Sequence, residues 1–214
     1  MKKTLMMVLS LVLVAVLSIG GTIAYLSSTA EVKNNIAVGS IAITMDESKV
    51  DENGQPDKSA DRVLSNDYKI MPGGQYVKDP VIHVDEDSEE CYVFVKVENP
   101  LKPIIKSNKG ALGLTGYDTI ENQMTAKVNV GVPVLGPFVP TWKLVDGTEN
   151  IYQYYKTVEG GVDLQVFSGF YIDKDVNNLS DYAGAEITVT AYAIQAENVS
   201  AKTAAQEAVA ALNA

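Results

Sequence analysis

Cysteine and histidine each occur only once in the 214 residues, as Cys91 and His83. A single cysteine cannot form a disulfide within the chain, so the fold must depend on its apolar core, and the chain is long enough to bury one. A single histidine cannot supply the histidine pair of an HExxH zinc helix. A serine triad would also need His83, and no nucleophile-elbow motif accompanies it. The sequence therefore predicts that the protein is not an enzyme and that it needs no cofactor.

Basic residues are scarce as well. Lysine and arginine number 17 against 27 aspartates and glutamates, for a formal net charge of -10. An acidic surface repels phosphate backbones, so no nucleic acid is expected among the partners. Such a surface suits a protein that is soluble outside the cell, and one that meets divalent cations.

The first 26 residues have the organisation of a signal peptide. Lys2 and Lys3 precede an apolar run over residues 5–19, and small and polar residues follow it. The alternative is an uncleaved membrane anchor, since residues 4–26 are just long enough to span a bilayer. Cleavage is favoured by the Gly-Gly pair at residues 20–21 and the polar run after it. It would fall after Tyr25 or later, within residues 28–30, and release a secreted protein.

Period-two alternation predicts a series of short strands with proline and glycine turns between them. Residues 32–46 predict two short strands in series, divided at residues 39–40. The other predicted strands cover residues 68–70, 75–84, 91–97, 141–145, 151–156, 162–167 and 186–196, and residues 170–172 form a short apolar stretch. Pro80 cannot donate to a ladder, so residues 75–84 are expected at a sheet edge or bulge. Residues 71–74, Met-Pro-Gly-Gly, predict a type II turn. The pattern is typical of an all-β, antiparallel β-sandwich over residues 41–197.

Two stretches depart from this pattern. Residues 99–140 are interrupted by prolines and predict a long insert with one short helix near residues 118–127. Residues 198–214 are alanine-rich and predict a short C-terminal helix with Ser200 as its N-cap. Because this tail has few large apolar residues, we do not expect it to contribute to the core.

Candidate sites are few, and each has a plain structural alternative. The strand pattern predicts that Cys91 is a buried apolar thiol, although a nucleophile or an intermolecular disulfide is conceivable. It also points His83 to solvent, opposite Ile82 and Val84. Alternating oxygen donors resemble the start of a calcium loop at residues 173–181, but Gly184 stands where the bidentate glutamate belongs, so a solvated loop is the expectation. The four calcium candidates are Asp173, Asp175, Asn177 and Asp181.

Aromatic residues could form a carbohydrate platform on two strands. Tyr92 and Phe94 share the face opposite Cys91, and tyrosines stand at 152, 154 and 155. Cross-strand packing is the commoner cause of such pairs.

The signal region carries a family resemblance. Residues 20–44 resemble the signal and first strand of the TasA/camelysin family of secreted matrix proteins, with matches at Gly20, Gly21, Thr22, Ala24, Tyr25, Asn35, Val38 and Gly39. Leu26 departs from the pattern, where the family often has phenylalanine. The resemblance continues in patches at residues 71–84, 91–99 and 187–197. It implies a jelly-roll form of the sandwich, processing by a dedicated signal peptidase (the SipW type), and polymerisation into biofilm fibres through an N-terminal donor strand. The name camelysin also implies a metallo-endopeptidase, which is the remote alternative.

Residues 27–40 are the predicted extension and donor strand, with Val32, Asn34, Ile36 and Val38 as the donor residues. Residues 39–40, Gly-Ser, separate this segment from the next strand, so it can move independently. The expected acceptor is the strand at residues 75–84 or the closing strand at 186–196. Pairing of the segment within its own subunit is the alternative.

Our principal hypothesis is therefore a secreted structural subunit of extracellular matrix fibres. The expected partners are other copies of the chain, the signal peptidase, and an anchoring or accessory matrix protein at the cell surface. The alternative is a monomeric cell-surface module that binds glycan or protein.

Overall fold

The computed structural model describes residues 27–30, 41–108, 116–129 and 138–214. The predicted signal helix and residues 31–40 of the predicted extension lie outside these residues. The described strands are β1 (Ser27–Ala30), β2 (Ile43–Asp46), β3 (Gln75–Val77), β4 (Val81–Val84), β5 (Cys91–Glu98), β6 (Lys127–Asn129), β7 (Phe138–Pro140), β8 (Trp142–Leu144), β9 (Ile151–Tyr154), β10 (Asp163–Gln165), β11 (Gly169–Tyr171) and β12 (Thr188–Gln195). The helices are α1 (Ile120–Met124) and α2 (Ala201–Leu212), with a 3-10 turn at Ser180–Tyr182.

The strand pairs of the described residues are all antiparallel. The largest sheet has five strands in the order β1-β12-β5-β9-β8. A second sheet has the order β10-β4-β2, and two further pairs are β11-β3 and β6-β7. The prediction of an all-β antiparallel fold with a short C-terminal helix is confirmed.

The centre of the large sheet is the pair β5 and β12. Each strand has eight residues, and they pair along their whole length from Cys91↔Gln195 to Glu98↔Thr188. Their sequences alternate, so one face of β5 carries Cys91 and the three valines that follow at every second position. This face is buried, as the pattern predicted for Cys91.

The main core forms where this face meets the smaller sheets. Side chains of β2 and β4 pack into the same cluster as those of β5 and β12, and the cluster includes Ile43, Met45, Ile82, Val84, Val93, Val95, Val189 and Ala191. Trp142 of β8 is fully buried there and donates from Nε1 to the carbonyl oxygen of Gln165 at 3.1 Å. That bond ties the large sheet to β10 of the three-stranded sheet.

The other face of the large sheet is covered by α2. Ser200 caps this helix, because its Oγ accepts from the backbone N–H of Thr203 at 3.1 Å. The helix and its N-cap are as predicted, but the expectation that the tail stays out of the core is wrong. Three residues at helical spacing, Ala204, Ala208 and Leu212, are buried against Phe94, Ile151, Tyr192 and Ile194. Alanine suffices because small side chains let the helix approach the sheet closely.

Several local predictions can be compared directly. The 71–74 turn is present, since Gly74 donates to the carbonyl oxygen of Met71 at 3.0 Å and Gly73 has φ +76°. The predicted strand at residues 68–70 is wrong, because this segment is irregular. The predicted helix near residues 118–127 is confirmed as α1, which Thr119 caps. The described part of the 99–140 insert also contains the β6-β7 pair.

Candidate functional site

The first candidate site is the outer edge of β12. The short strand β1 lies along this edge in an antiparallel register that runs from Ser27↔Ile194 to Ala30↔Ala191. The other edge of β12 is fully paired with β5. The structure thus brings residues 27–30 of the predicted extension to one of the two predicted acceptors. The predicted donor residues Val32, Asn34, Ile36 and Val38 lie outside the described residues.

The other predicted acceptor, residues 75–84, is not one continuous edge strand. It divides at Pro80 into β3, which pairs with β11, and β4, which lies between β10 and β2. The expectation that this whole segment is an edge is wrong for β4. Pro80 stands just before β4 rather than within its ladder, so its missing N–H does not prevent pairing on both sides.

A groove of about 730 Å³ opens beside the first residues of β12. Apolar side chains form much of its wall, among them Met45, Ile70, Leu101, Phe170, Leu179, Ile187 and Val189. Leu64 stands at this groove with 57% of its surface exposed. Polar residues line it as well, among them Glu47, Asn66 and Lys78.

The buried ion pair in this groove was missed in the sequence analysis. Glu47 follows β2 in the hydrophilic 47–66 segment, yet its side chain is only 5% exposed. A carboxylate oxygen of Glu47 lies 2.7 Å from Nζ of Lys78, whose side chain is 12% exposed. The signal was available, because Glu47 is in phase with the inward-facing Ile43 and Met45. Lys78 is likewise in phase with the buried Tyr76 and Ile82.

The buried pair also affects its aromatic neighbour. Burial raises the pKa of Tyr68 far above its usual range, and the negative charge of Glu47 raises it further. The Tyr68 hydroxyl donates to the carbonyl oxygen of Val77 at 2.9 Å. The side chains of Glu47 and Lys78 are themselves buried, so their charges interact more strongly than they would in water.

A second polar cluster surrounds His83. The prediction that His83 points opposite Ile82 and Val84 is correct, but its side chain is only 32% exposed and contacts two carboxylates. Its ring nitrogens lie 2.7 Å from Asp163 and 3.1 Å from Asp46. Partial burial by itself would lower the pKa of His83, but the hydrogen bonds and charges of these two aspartates outweigh it and raise the pKa.

Arg62 continues this cluster across the sheet. Its guanidinium pairs with Asp46 and, at 3.3 Å, with Asp79. Burial would raise the pKa of Asp46, but its bonds to Arg62 and His83 hold that pKa below its usual range. Each of these groups has a charged partner, which is the arrangement of a structural network.

The four calcium candidates lie in one loop, where Asp173, Asp175 and Asp181 make local bonds. Asp173 Oδ1 accepts from the backbone N–H of Asp175 at 3.1 Å, and Asp181 Oδ1 accepts from Asn178 Nδ2 at 3.1 Å. Lys174 pairs with Asp175. Across the described ranges, no group of three or more histidine, cysteine, aspartate or glutamate side chains is arranged to hold a metal ion. That this loop is solvated and holds no calcium stays a prediction.

The aromatic platform does not exist on β5. Phe94 is fully buried under α2, and Tyr92 packs at the border of the same cluster. On β9, Tyr152 is buried, while Tyr154 makes an edge contact with Trp142 at 5.2 Å between ring centroids. These rings serve packing. Cys91 is fully buried as well, as predicted.

The part of the chain that the structure describes contains no helix long and apolar enough to cross a membrane. No protein-family model, curated protein or solved structure matches the chain. The function is therefore argued from the residues and their geometry.

Proposed function

We propose that the protein is a secreted structural subunit of extracellular matrix fibres, a member of the TasA/camelysin family with a jelly-roll sandwich, and that it polymerises by N-terminal donor-strand addition. The observation that carries this proposal is the position of β1. A four-residue strand from the predicted extension pairs with the outer edge of β12. The N-terminal residues thus have an edge with which to pair.

The pairing of β1 is suited to exchange between subunits. Backbone hydrogen bonds between strands depend little on side-chain identity, so the same segment of a neighbouring copy fits the same edge. A strand of four residues forms few bonds, and displacing it costs little compared with β5 or β12. Exchange of an identical element from copy to copy is head-to-tail and does not close, so it produces filaments.

The register of β1 also accommodates the predicted donor residues. In the proposed fibre, a donor that continues the observed register would place Val32 opposite Val189 and Asn34 opposite Ile187. Val189 is buried and Ile187 is partly buried, and both line the groove. Val32 would therefore cover apolar surface of the acceptor, and burial of that surface would favour association.

In this proposal, export frees the N-terminal end of the extension. Removal of residues 1–26 by the signal peptidase would leave β1 close to a free N-terminus, and a free end can leave its own β12 for that of another subunit. We place the mature protein at the cell surface and in the matrix, with an accessory protein as its anchor.

The test is a cysteine pair across β1 and β12. Directly opposite residues of an antiparallel pair have Cα atoms about 4.5–5.5 Å apart, within reach of a disulfide. The double variant Ser28→Cys with Ala193→Cys, made in a Cys91→Ala background, places two cysteines directly opposite each other on β1 and β12. Oxidation of assembled protein should produce a ladder of linked subunits on a non-reducing gel. A single band of internally linked monomer would refute donor exchange.

Two further variants test the donor residues. A secreted form that begins at Gly39, and the double change Ile36→Asp with Val38→Asp, should stay folded and monomeric where the wild type forms fibres in electron micrographs. The matched control is Lys33→Asp, which introduces aspartate at the intervening spacing in place of a positive charge and should leave fibres intact. Fibres of normal appearance from either test variant would contradict the proposal.

A further inference from the structure

Glu47 binds two side chains with its two carboxylate oxygens. Oε2 accepts from Nζ of Lys78 at 2.7 Å, and Oε1 accepts from Nδ2 of Asn66 at 3.0 Å. One carboxylate thus holds a primary amine and a carboxamide next to each other. These are the two groups that condense to form an isopeptide bond, and the carboxylate between them is an acid–base group.

The Asn66 amide is held in one orientation. Nδ2 also donates to the carbonyl oxygen of Ser48 at 2.8 Å, while Oδ1 accepts from the backbone N–H of Val50 at 2.9 Å. If the amide were reversed, Oδ1 would face the oxygens of Glu47 and Ser48, and Nδ2 would face the N–H of Val50. The three partners therefore fix which atom of the Asn66 amide is the nitrogen. The N–H of Val50 therefore points at the oxygen on which negative charge would develop if an amine attacked Cγ.

Two of the three groups at this site are buried. The side chain of Glu47 is 5% exposed and that of Lys78 is 12% exposed. The amine and the carboxylate are thus largely shielded from water, while Asn66 is partly exposed, and the Glu47 carboxylate holds both partners in place. The groove lined by these three residues opens to solvent, so a small leaving group can escape.

We propose that Lys78 and Asn66 form an intramolecular isopeptide bond, with Glu47 as the catalytic acid and base. Glu47 first takes a proton from the Lys78 ammonium, and the neutral Nζ attacks Cγ of Asn66. The Cγ–Nδ2 bond then breaks, and Glu47 delivers protons from Nζ to the departing nitrogen. The ammonium group has three N–H bonds and the new amide has one, so two protons pass to the carboxamide nitrogen, which leaves as ammonium. Charge is conserved, Glu47 is regenerated, and no oxidant or reductant is needed.

The bond would close a loop that contains the 71–74 turn and β3. A covalent cross-link restricts the unfolded chain, as a disulfide does. The single cysteine of this chain excludes an internal disulfide, so an amide cross-link would supply that restriction by another chemistry.

Mass spectrometry of the exported protein tests this proposal. The intact wild type should be lighter than its sequence mass by one ammonia, measured against Lys78→Arg processed at the same N-terminus. Lys69 lies between the linked residues and is exposed. Trypsin should therefore cut the intervening chain there and yield a branched peptide that joins residues 63–69 to a peptide containing Lys78.

The variants separate the roles of the three residues. Glu47→Gln and Asn66→Ala should have their full sequence masses, whereas Lys69→Arg, the nearby lysine control, should keep the deficit. Lys78→Arg preserves the charge opposite Glu47, so it remains informative if Glu47→Gln does not fold. A wild-type mass equal to its sequence mass, with residues 63–69 recovered as a linear peptide, would overturn the proposal and leave an ordinary ion pair. A deficit that persists in Glu47→Gln would overturn the assignment of the catalyst.

Discussion

His83 Nδ1 lies 2.7 Å from Oδ1 of Asp163, the residue directly opposite it on β10. Its Nε2 lies 3.1 Å from Oδ1 of Asp46 on β2. One side chain on the central strand therefore links all three strands of the smaller sheet. Because both partners are carboxylates, the link is stronger when the imidazole is protonated.

We expect His83→Gln to destabilise the protein in a pH-dependent manner. The folded-state pKa of His83 is raised, so its contribution is fully present below the unfolded value of about 6.5 and is lost as pH rises through the folded value. The loss should be roughly 0.5–1 kcal/mol at low pH, because the site is partly exposed and screened. Urea unfolding of the wild type and of His83→Gln at about pH 5.5 and about pH 8.5 measures this loss. A difference that grows towards high pH would contradict this account.

We expect Phe94→Ala to cost about 3–5 kcal/mol, since the ring is fully buried between the large sheet and α2. Ser200→Ala should cost about 1 kcal/mol by removing the N-cap of α2. The matched control is Ser200→Asp, which can still accept from the Thr203 N–H and should stay close to the wild type. Chemical denaturation measures the free energy of unfolding of these three variants. If Phe94→Ala were nearly neutral, α2 could not be packed on this face in solution.

We expect Cys91 to be unreactive in the folded protein. Burial, followed by the negative charge of Glu90, raises the pKa of Cys91 to about 11. At mildly alkaline pH the thiolate fraction is then roughly a hundredfold or more below that of a free cysteine. Alkylation by iodoacetamide should be slow in buffer and fast in denaturant. Rapid alkylation of native protein would revive the interpretation of Cys91 as a nucleophile or a site of intermolecular disulfides.

We expect calcium to leave the melting temperature unchanged, because three of the four candidate donors, Asp173, Asp175 and Asp181, are engaged in local bonds. A ligand that binds only the native state raises apparent stability by mass action. Thermal melts with calcium and with chelator measure the effect. A clear rise in the wild type that disappears in Asp173→Ala with Asp175→Ala would establish a calcium site and show this expectation to be wrong.

We expect the exported protein to lack the apolar run at residues 5–19. N-terminal sequencing of the extracellular protein identifies its first residue. It also shows whether β1 survives processing, since cleavage within residues 28–30 would remove most of it. Recovery of the full-length chain from the membrane fraction would favour the uncleaved anchor.

Much of the secondary structure could be predicted from the sequence, because alternation and capping are local properties. The buried face of β5 follows from apolar residues at every second position. The 71–74 turn and the Ser200 cap follow from single residues with marked backbone preferences. The prediction failed at residues 68–70, where Tyr-Lys-Ile alternates like a strand but pairs with no described strand, and at α2, where alanine was taken for a sign of exposure.

What the sequence by itself determined is thus the class of fold, the positions of most strands, and which side chains face inward. Even Glu47 and Lys78 are in phase with buried neighbours, so their inward direction is a property of the local pattern. Only the tertiary structure decided which inward residues meet. The pairing of β1 with β12, the bridge from His83 to β2 and β10, and the meeting of Lys78 and Asn66 on Glu47 all join residues distant in sequence. Local geometry sets the direction of a side chain, but its partner is chosen by the packing of the whole chain.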